Sequence, residues 1–314
     1  MIELLDLNDN SKDVEIGTDN VGRVYGGRGG KKVAGKIGND YYLIKMPNNL
    51  STRIDRPNEN IEIPYNNSPI SEYIGSHVYD IIGIRVHKTY LGKRNGKIAV
   101  ACKDFRKDGE ILQHFCDIKV TFNHNNEQDE NTNGNGSHLS SILNVIRNSN
   151  VFKNIDIDAE CFFWQMFVVD YLIGNIDRNN GNWGILNNEI NGTKVMAPVF
   201  DNGNCLNNLI SDRQIEKIIH ENKFDVNLDK QMSFFVDDNE KPINMYEYII
   251  NQKEKKLNDT IIDIVPRIDL NKINEMIEDI PLDIVSKIRR KYYETIISKR
   301  YNDCLLPVYN SLCS

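Results

Sequence analysis

The most apolar stretch of the chain, residues 161–173, carries Phe, Trp, Met, Val, Tyr, Leu and Ile on every face of a helical period, which predicts a helix buried on all sides from Ala159. It gives way at Gly174 to a polar loop of Asn, Asp, Arg and Gly that runs to Ile185. Residues 195–200 read as a short apolar strand. Upstream the pattern is different. Residues 1–20 read as a strand and turn, and aromatic and branched residues predict a strand over 40–47. Residues 84–90 and 97–105 predict two more strands, joined by Lys93-Arg94-Asn95-Gly96. One helix interrupts them. Ser68-Pro69 supplies a cap and a first-turn proline, Ile70, Ile74, Val78 and Ile81 form its stripe, and Gly83 ends it. Residues 48–67 form a polar connection, and 123–137 are a low-complexity polar stretch. From His138 onward the spacing is helical: Leu139, Ile142, Leu143, Val145 and Ile146 first, then 209–220, 246–250, 259–265, 273–280 and 282–305.

Composition narrows the function classes. Of 314 residues, 40% are hydrophobic and 26% charged, which are globular values. A net charge of −7 with a pI near 5.5 argues against a general nucleic-acid or membrane-surface binder. The six cysteines lack C-x-x-C or Cys/His metal spacing, so they read as reduced thiols. The start has no basic n-region, and no run reaches the ~18 apolar residues of a membrane span. These features predict a protein made in the cytoplasm; export would have to proceed without a standard signal peptide.

The polar loop holds the candidate chemistry. Asp177 and Asn182 stand as Asp-x-x-x-x-Asn, and Asp201 follows the 195–200 strand in Asp201-Asn202-Gly203. Asn, Asp and Gly also dominate ordinary turns. The order of a base-like Asp, an Asn and then Asp-x-Gly, however, is what phosphoryl transfer from ATP requires. Asp177 would accept the proton of the attacking hydroxyl, and Asn182 and Asp201 would hold Mg²⁺ against the phosphates. Residues 21–37 are dense in glycine and base. Gly30-x-x-x-x-Gly35-Lys36 misses a Walker A loop, because Ile37 replaces the Ser or Thr and a strand rather than a helix follows. A kinase instead covers phosphates with glycines on a strand-turn-strand, here Gly27, Gly29 and Gly30, and pairs them with a lysine on a following strand, here Lys45. Glu72 lies nearly opposite Ile70 on its helix, which leaves a surface glutamate as one reading.

Asn175-Ile176-Asp177-Arg178 with Asn182-Trp183-Gly184, followed by Pro198-Val199-Phe200-Asp201-Asn202-Gly203, resembles the catalytic core of the HipA-like serine/threonine kinases. The resemblance implies an α+β, two-lobed protein-kinase-like fold, with a β-rich N-lobe (1–105) and a mostly helical C-lobe (106–314). It implies that Glu72 steadies Lys45, that backbone around Ala101, Cys102 and Lys103 meets adenine, and that Arg178 stabilises the loop or the transferred phosphoryl. ATP and Mg²⁺ follow, with a Ser/Thr-bearing protein as partner and autophosphorylation as a possibility. The chain departs from the H-R-D and D-F-G signatures, with Asn175-Ile176-Asp177 and Asp201-Asn202-Gly203 in their places, and shows no A-P-E. The group includes toxins that bind a DNA-binding antitoxin, but no helix-turn-helix or basic stripe is present, so direct nucleic-acid binding is not expected. A small-molecule or lipid kinase and a non-catalytic nucleotide-binding partner protein are the competing classes.

Overall fold

Strand alternation in the first third of the chain separates two cores. In the computed structural model, which describes residues 2–8, 14–17, 25, 31–51, 61–125, 133–224 and 230–314, β1 is Leu5–Asp6, β2 Val14–Ile16, β3 Lys32–Ile37 and β4 Asp40–Lys45. Helix α1 (Ser68–Ile82) precedes β5 (Thr89–Arg94) and β6 (Lys97–Lys103). These strands form one sheet in the order β1-β5-β6-β4-β3-β2, antiparallel except for β1 beside β5. Tyr42, Ile44, Ala99 and Ala101 face one side, where Leu7 and Val14 complete a small core. Leu91, Val100 and Cys102 face the other side and join the main core with α1. The β5–β6 hairpin closes through Asn95 and Gly96, both at positive φ (49° and 72°), the type I′ geometry that this dipeptide favours.

The strand expected over 84–90 begins only at Thr89. Residues before it are diverted to the other half of the molecule, where Val86 bridges Val199 and the His87 amide donates to the Val199 carbonyl at 2.9 Å. Helix α1 is accordingly buried on both faces, against the sheet and against the helices below. Gly83 caps it in the left-handed conformation.

Strand β7 (Glu110–His114) and helix α2 (Phe115–Asn125) follow, then α3 (Leu139–Asn148), α4 (Asn150–Lys153) and the apolar helix α5 (Ala159–Ile173). Asp158 caps α5 by accepting from the Glu160 and Cys161 amides, and Gly174 at φ 69° ends it. Strands β8 (Gly184–Asn188) and β9 (Lys194–Met196) pair with β7 into a second sheet. The polar loop thus hangs between α5 and β8. It is pinned by Trp183, which stacks on Phe115 at 4.0 Å. The rest is α6 (Asp212–His220), a hairpin of β10 (Met232–Val236) and β11 (Pro242–Asn244), and helices α7 (Met245–Ile250), α8 (Lys255–Ile264), α9 (Leu270–Glu278), α10 (Lys287–Arg300) and α11 (Leu306–Cys313). Helix α6 starts at Asp212 rather than 209 because Ser211 and Gln214 form a capping box. The helix expected over 282–305 is α10 running into a π-turn at Tyr301–Leu305. The architecture is the expected α+β one, a curled sheet with its helix over a largely helical half.

Gly184 opens β8 opposite His114, and a Cβ there would collide with the Gln113 carbonyl. Gly184→Ala is expected to destabilise the fold by about 1–3 kcal/mol, read as a lower midpoint in thermal melting.

Candidate active site

Between the first sheet and the loops of the second lies a cleft of about 640 Å³. Lys45, at the end of β4, reaches into it because β4 alternates: Tyr42 and Ile44 fill the small core, while Leu43 and Lys45 face the cleft. The Lys45 ammonium donates to Glu72 Oε2 at 2.7 Å and to Asp201 Oδ1 at 2.9 Å. Burial works against its charge, but Asp201 and Glu72 outweigh burial and hold its pKa well above the usual value. Asp201 is held below the usual carboxylate value by Lys45, with burial opposing.

Glu72 is 1% exposed, so the surface alternative is excluded. The helical face opposite Ile70 is also buried, and there the carboxylate is saturated. Oε1 accepts the Asn202 amide at 2.9 Å and lies 3.0 Å from His87 Nε2. Burial pushes its pKa up, and Lys45 and His87 together bring it far below the ordinary 4.5. Asn202 also donates to Ser76 Oγ at 3.0 Å. Glu72, His87 and Cys102 offer donor atoms within 4.8 Å of one another. With both Glu72 oxygens already engaged by Lys45, His87 and Asn202, that trio reads as part of the polar network rather than as a metal centre.

Asp177, Asn182 and Asp201 line the same cleft. Asn182 donates its side-chain amide to the Asp177 carbonyl at 2.7 Å, closing the loop on itself. Arg178 turns the other way. It is 3% exposed and bonds Asp170 through Nε at 2.9 Å and Nη2 at 3.0 Å. It also bonds the Phe200 carbonyl and Asn202 Oδ1, both at 2.6 Å. Burial disfavours its charge, but Asp170 overcomes this and raises its pKa. Of the two roles open to Arg178, this geometry is that of a loop anchor; its guanidinium does not face the cleft.

The three residues expected to face adenine differ in how the sheet engages them. Ala101 and Cys102 are laddered on both sides, to Ile44 and Leu43 on β4 and to Tyr90 and Thr89 on β5. The Lys103 and Asp104 amides donate to the Lys88 and Tyr41 carbonyls at 2.8 Å. At Ala101 and Cys102, paired on both sides, the sheet takes up the backbone groups. Cys102 and Lys103 line the cleft, whereas the Ala101 methyl faces the small core and the Lys103 ammonium, on that same face of the sheet, donates to Asp40 Oδ2 at 2.7 Å. The backbone leaves the ladder at Phe105, whose ring lies 5.7 Å from that of Phe200. Asp104 there accepts from Tyr25 Oη at 3.0 Å and from Arg106. Gly27, Gly29 and Gly30 lie outside the described residues.

Sequence reasoning assigned no role to Asp170, Asn202, Ser76 or His87. A lone carboxylate within the apolar run was a signal for Asp170. Asn202 and His87 carry no such signal, because their partners lie across the fold.

A sheet over one buried helix, a lysine–glutamate pair between that sheet and helix, and a loop aspartate sharing the cleft with a second aspartate after a strand define a two-lobed protein-kinase-like fold. No family model matches the sequence. The serine/threonine-protein kinase CtkA of Helicobacter pylori is 33% identical over 284 residues, 88% of this chain and 81% of CtkA. The crystal structure of the proinflammatory kinase CtkA of that organism superposes with a TM-score of 0.83 at 30% identity, covering 98% of both chains. HipA of the Shewanella oneidensis toxin–antitoxin system shares the fold alone, with a TM-score of 0.51 at 14% identity over 86% of this chain and 60% of HipA. The chain belongs to the same kinase family as CtkA. No helix among the described residues is long and apolar enough to cross a membrane.

Glu72→Gln removes a carboxylate whose folded pKa is depressed. That group stabilises the fold fully above its unfolded value near 4.5 and progressively less as pH falls toward the lower folded value. Wild type is therefore expected to exceed Glu72→Gln in urea-denaturation stability at pH 7, with the gap narrowing steadily from pH 5 to pH 3. A pH-independent gap would contradict the charge assignment.

Proposed function

We propose that the protein is an ATP-dependent serine/threonine protein kinase. The observation that carries this reading is the convergence of Lys45, Asp177, Asn182 and Asp201 on one cleft, with Lys45 fixed between Glu72 and Asp201. The Ser/Thr specificity is supported by the name of its relative CtkA.

In this reading Lys45 meets the α- and β-phosphates of ATP. The purine lies against the apolar walls formed by Leu43, Cys102, Phe105 and Phe200. The donor set fits a hard cation: Asp201, 36% exposed in its side chain, and the Asn182 amide supply oxygen, which suits Mg²⁺. Bound there, the ion would neutralise charge on the phosphates. Asp177 orients the acceptor hydroxyl. The bond from the γ-phosphorus to the β–γ bridging oxygen breaks, a bond to the acceptor oxygen forms, the hydroxyl proton passes to Asp177, and ADP leaves. Catalysis is by positioning and electrostatics rather than covalent participation. Arg178 acts as a positioning residue for the loop. Transfer to the chain's own hydroxyls belongs to the same proposal.

The test is transfer from γ-labelled ATP with Mg²⁺ to the protein itself and to a generic basic protein substrate. Asp177→Asn and Asp201→Asn are each expected to lower transfer by about 100-fold or more, while Asp177→Asn still binds ATP. Label appearing on small hydroxyl compounds but never on protein would replace this reading with a small-molecule kinase. ATP binding without any transfer would leave a nucleotide-binding module.

A further inference from the structure

Each carboxylate oxygen of Asp177 is held by an asparagine side chain. Asn179 Nδ2 donates to Oδ1 at 3.0 Å, and Asn204 Nδ2 donates to Oδ2 at 2.6 Å. Asn204 is itself exposed, but its orientation is set from inside. Its amide oxygen accepts from Asn208 Nδ2 at 3.1 Å, and Asn208, 6% exposed, also donates to the Gly203 carbonyl at 2.6 Å. A buried amide thus orients a surface amide, which orients the carboxylate.

We infer that Asn204 is a positioning residue for phosphoryl transfer, holding the Asp177 carboxylate so that its remaining acceptor positions face the incoming hydroxyl. This rests on the kinase reading above. An ionised carboxylate offers about four acceptor positions. One amide on each oxygen fixes the rotation of the group and still leaves positions for a hydroxyl. Asn204 also stands three residues after Asp201, on the same loop. The segment that presents Asp201 therefore also sets the orientation of Asp177, so the two carboxylates are placed relative to each other by one short turn. Misplacement of a reacting group by about 1 Å can cost on the order of 100-fold in rate.

Asn204→Ala is expected to lower kcat by roughly 10- to 100-fold, with KM for ATP within twofold of wild type and an unchanged melting temperature. Asn204→Asp, nearly identical in shape, turns an oxygen toward Asp177 Oδ2 and is expected to be slower than Asn204→Ala. A residue needed only to shape the loop would leave Asn204→Asp close to wild type. The inference is overturned if Asn204→Ala retains kcat within twofold, if Asn204→Asp exceeds Asn204→Ala, or if the loss lies in KM for ATP. A wild-type protein that transfers no phosphoryl group overturns the kinase reading itself, a result distinct from either variant outcome.

Discussion

The structure depends on the burial of one carboxylate. Glu72 sits almost wholly out of water, where an unpaired charge would cost several kcal/mol. It is retained because three parts of the chain converge on it: Lys45 from the sheet, His87 from the segment entering β5, and the Asn202 amide from the loop after β9. Removing any one partner leaves a charge that its neighbours cannot satisfy. The lysine–glutamate pair is therefore less an isolated salt bridge than the meeting point of the two halves of the molecule.

A second buried charge repeats the device on the far side of Asn202. Arg178 is neutralised by Asp170, which also accepts from Tyr79 Oη and Asn175 Nδ2, both at 2.9 Å. Asn202 links the two clusters directly, its backbone to Glu72 and its side chain to Arg178 and Ser76. Where the D-F-G signature carries an aromatic residue, this chain carries an amide with three directed contacts. Helix α1 is thereby hydrogen-bonded to the segment that carries Asp201, in addition to packing over it.

Much of this was legible from residues alone. The strand bearing Lys45, the helix bearing Glu72 and the ordered Asp177, Asn182 and Asp201 follow from periodicity, turn chemistry and spacing. What stayed hidden is non-local. Glu72 looked peripheral because a helical wheel shows one apolar face and cannot show that a second lobe covers the other. Ala101 and Cys102 looked available because strand edges and strand centres read alike in sequence, whereas in the fold both are paired on either side. Strand β10 and helix α2 went unread, the latter because it runs into a polar low-complexity stretch. Asn204 is invisible in sequence, being one more asparagine among many until the fold brings it to Asp177.

The distances along the chain between the partners of Glu72 also bear on synthesis. Lys45 and His87 lie close in sequence to the carboxylate, but Asn202 follows more than a hundred residues later. While the chain is still emerging from the ribosome, the sheet and α1 would hold a glutamate with one side unmet and a helix with one face uncovered. The N-terminal half therefore gains its full set of contacts only once the loop after β9 is there to close over it.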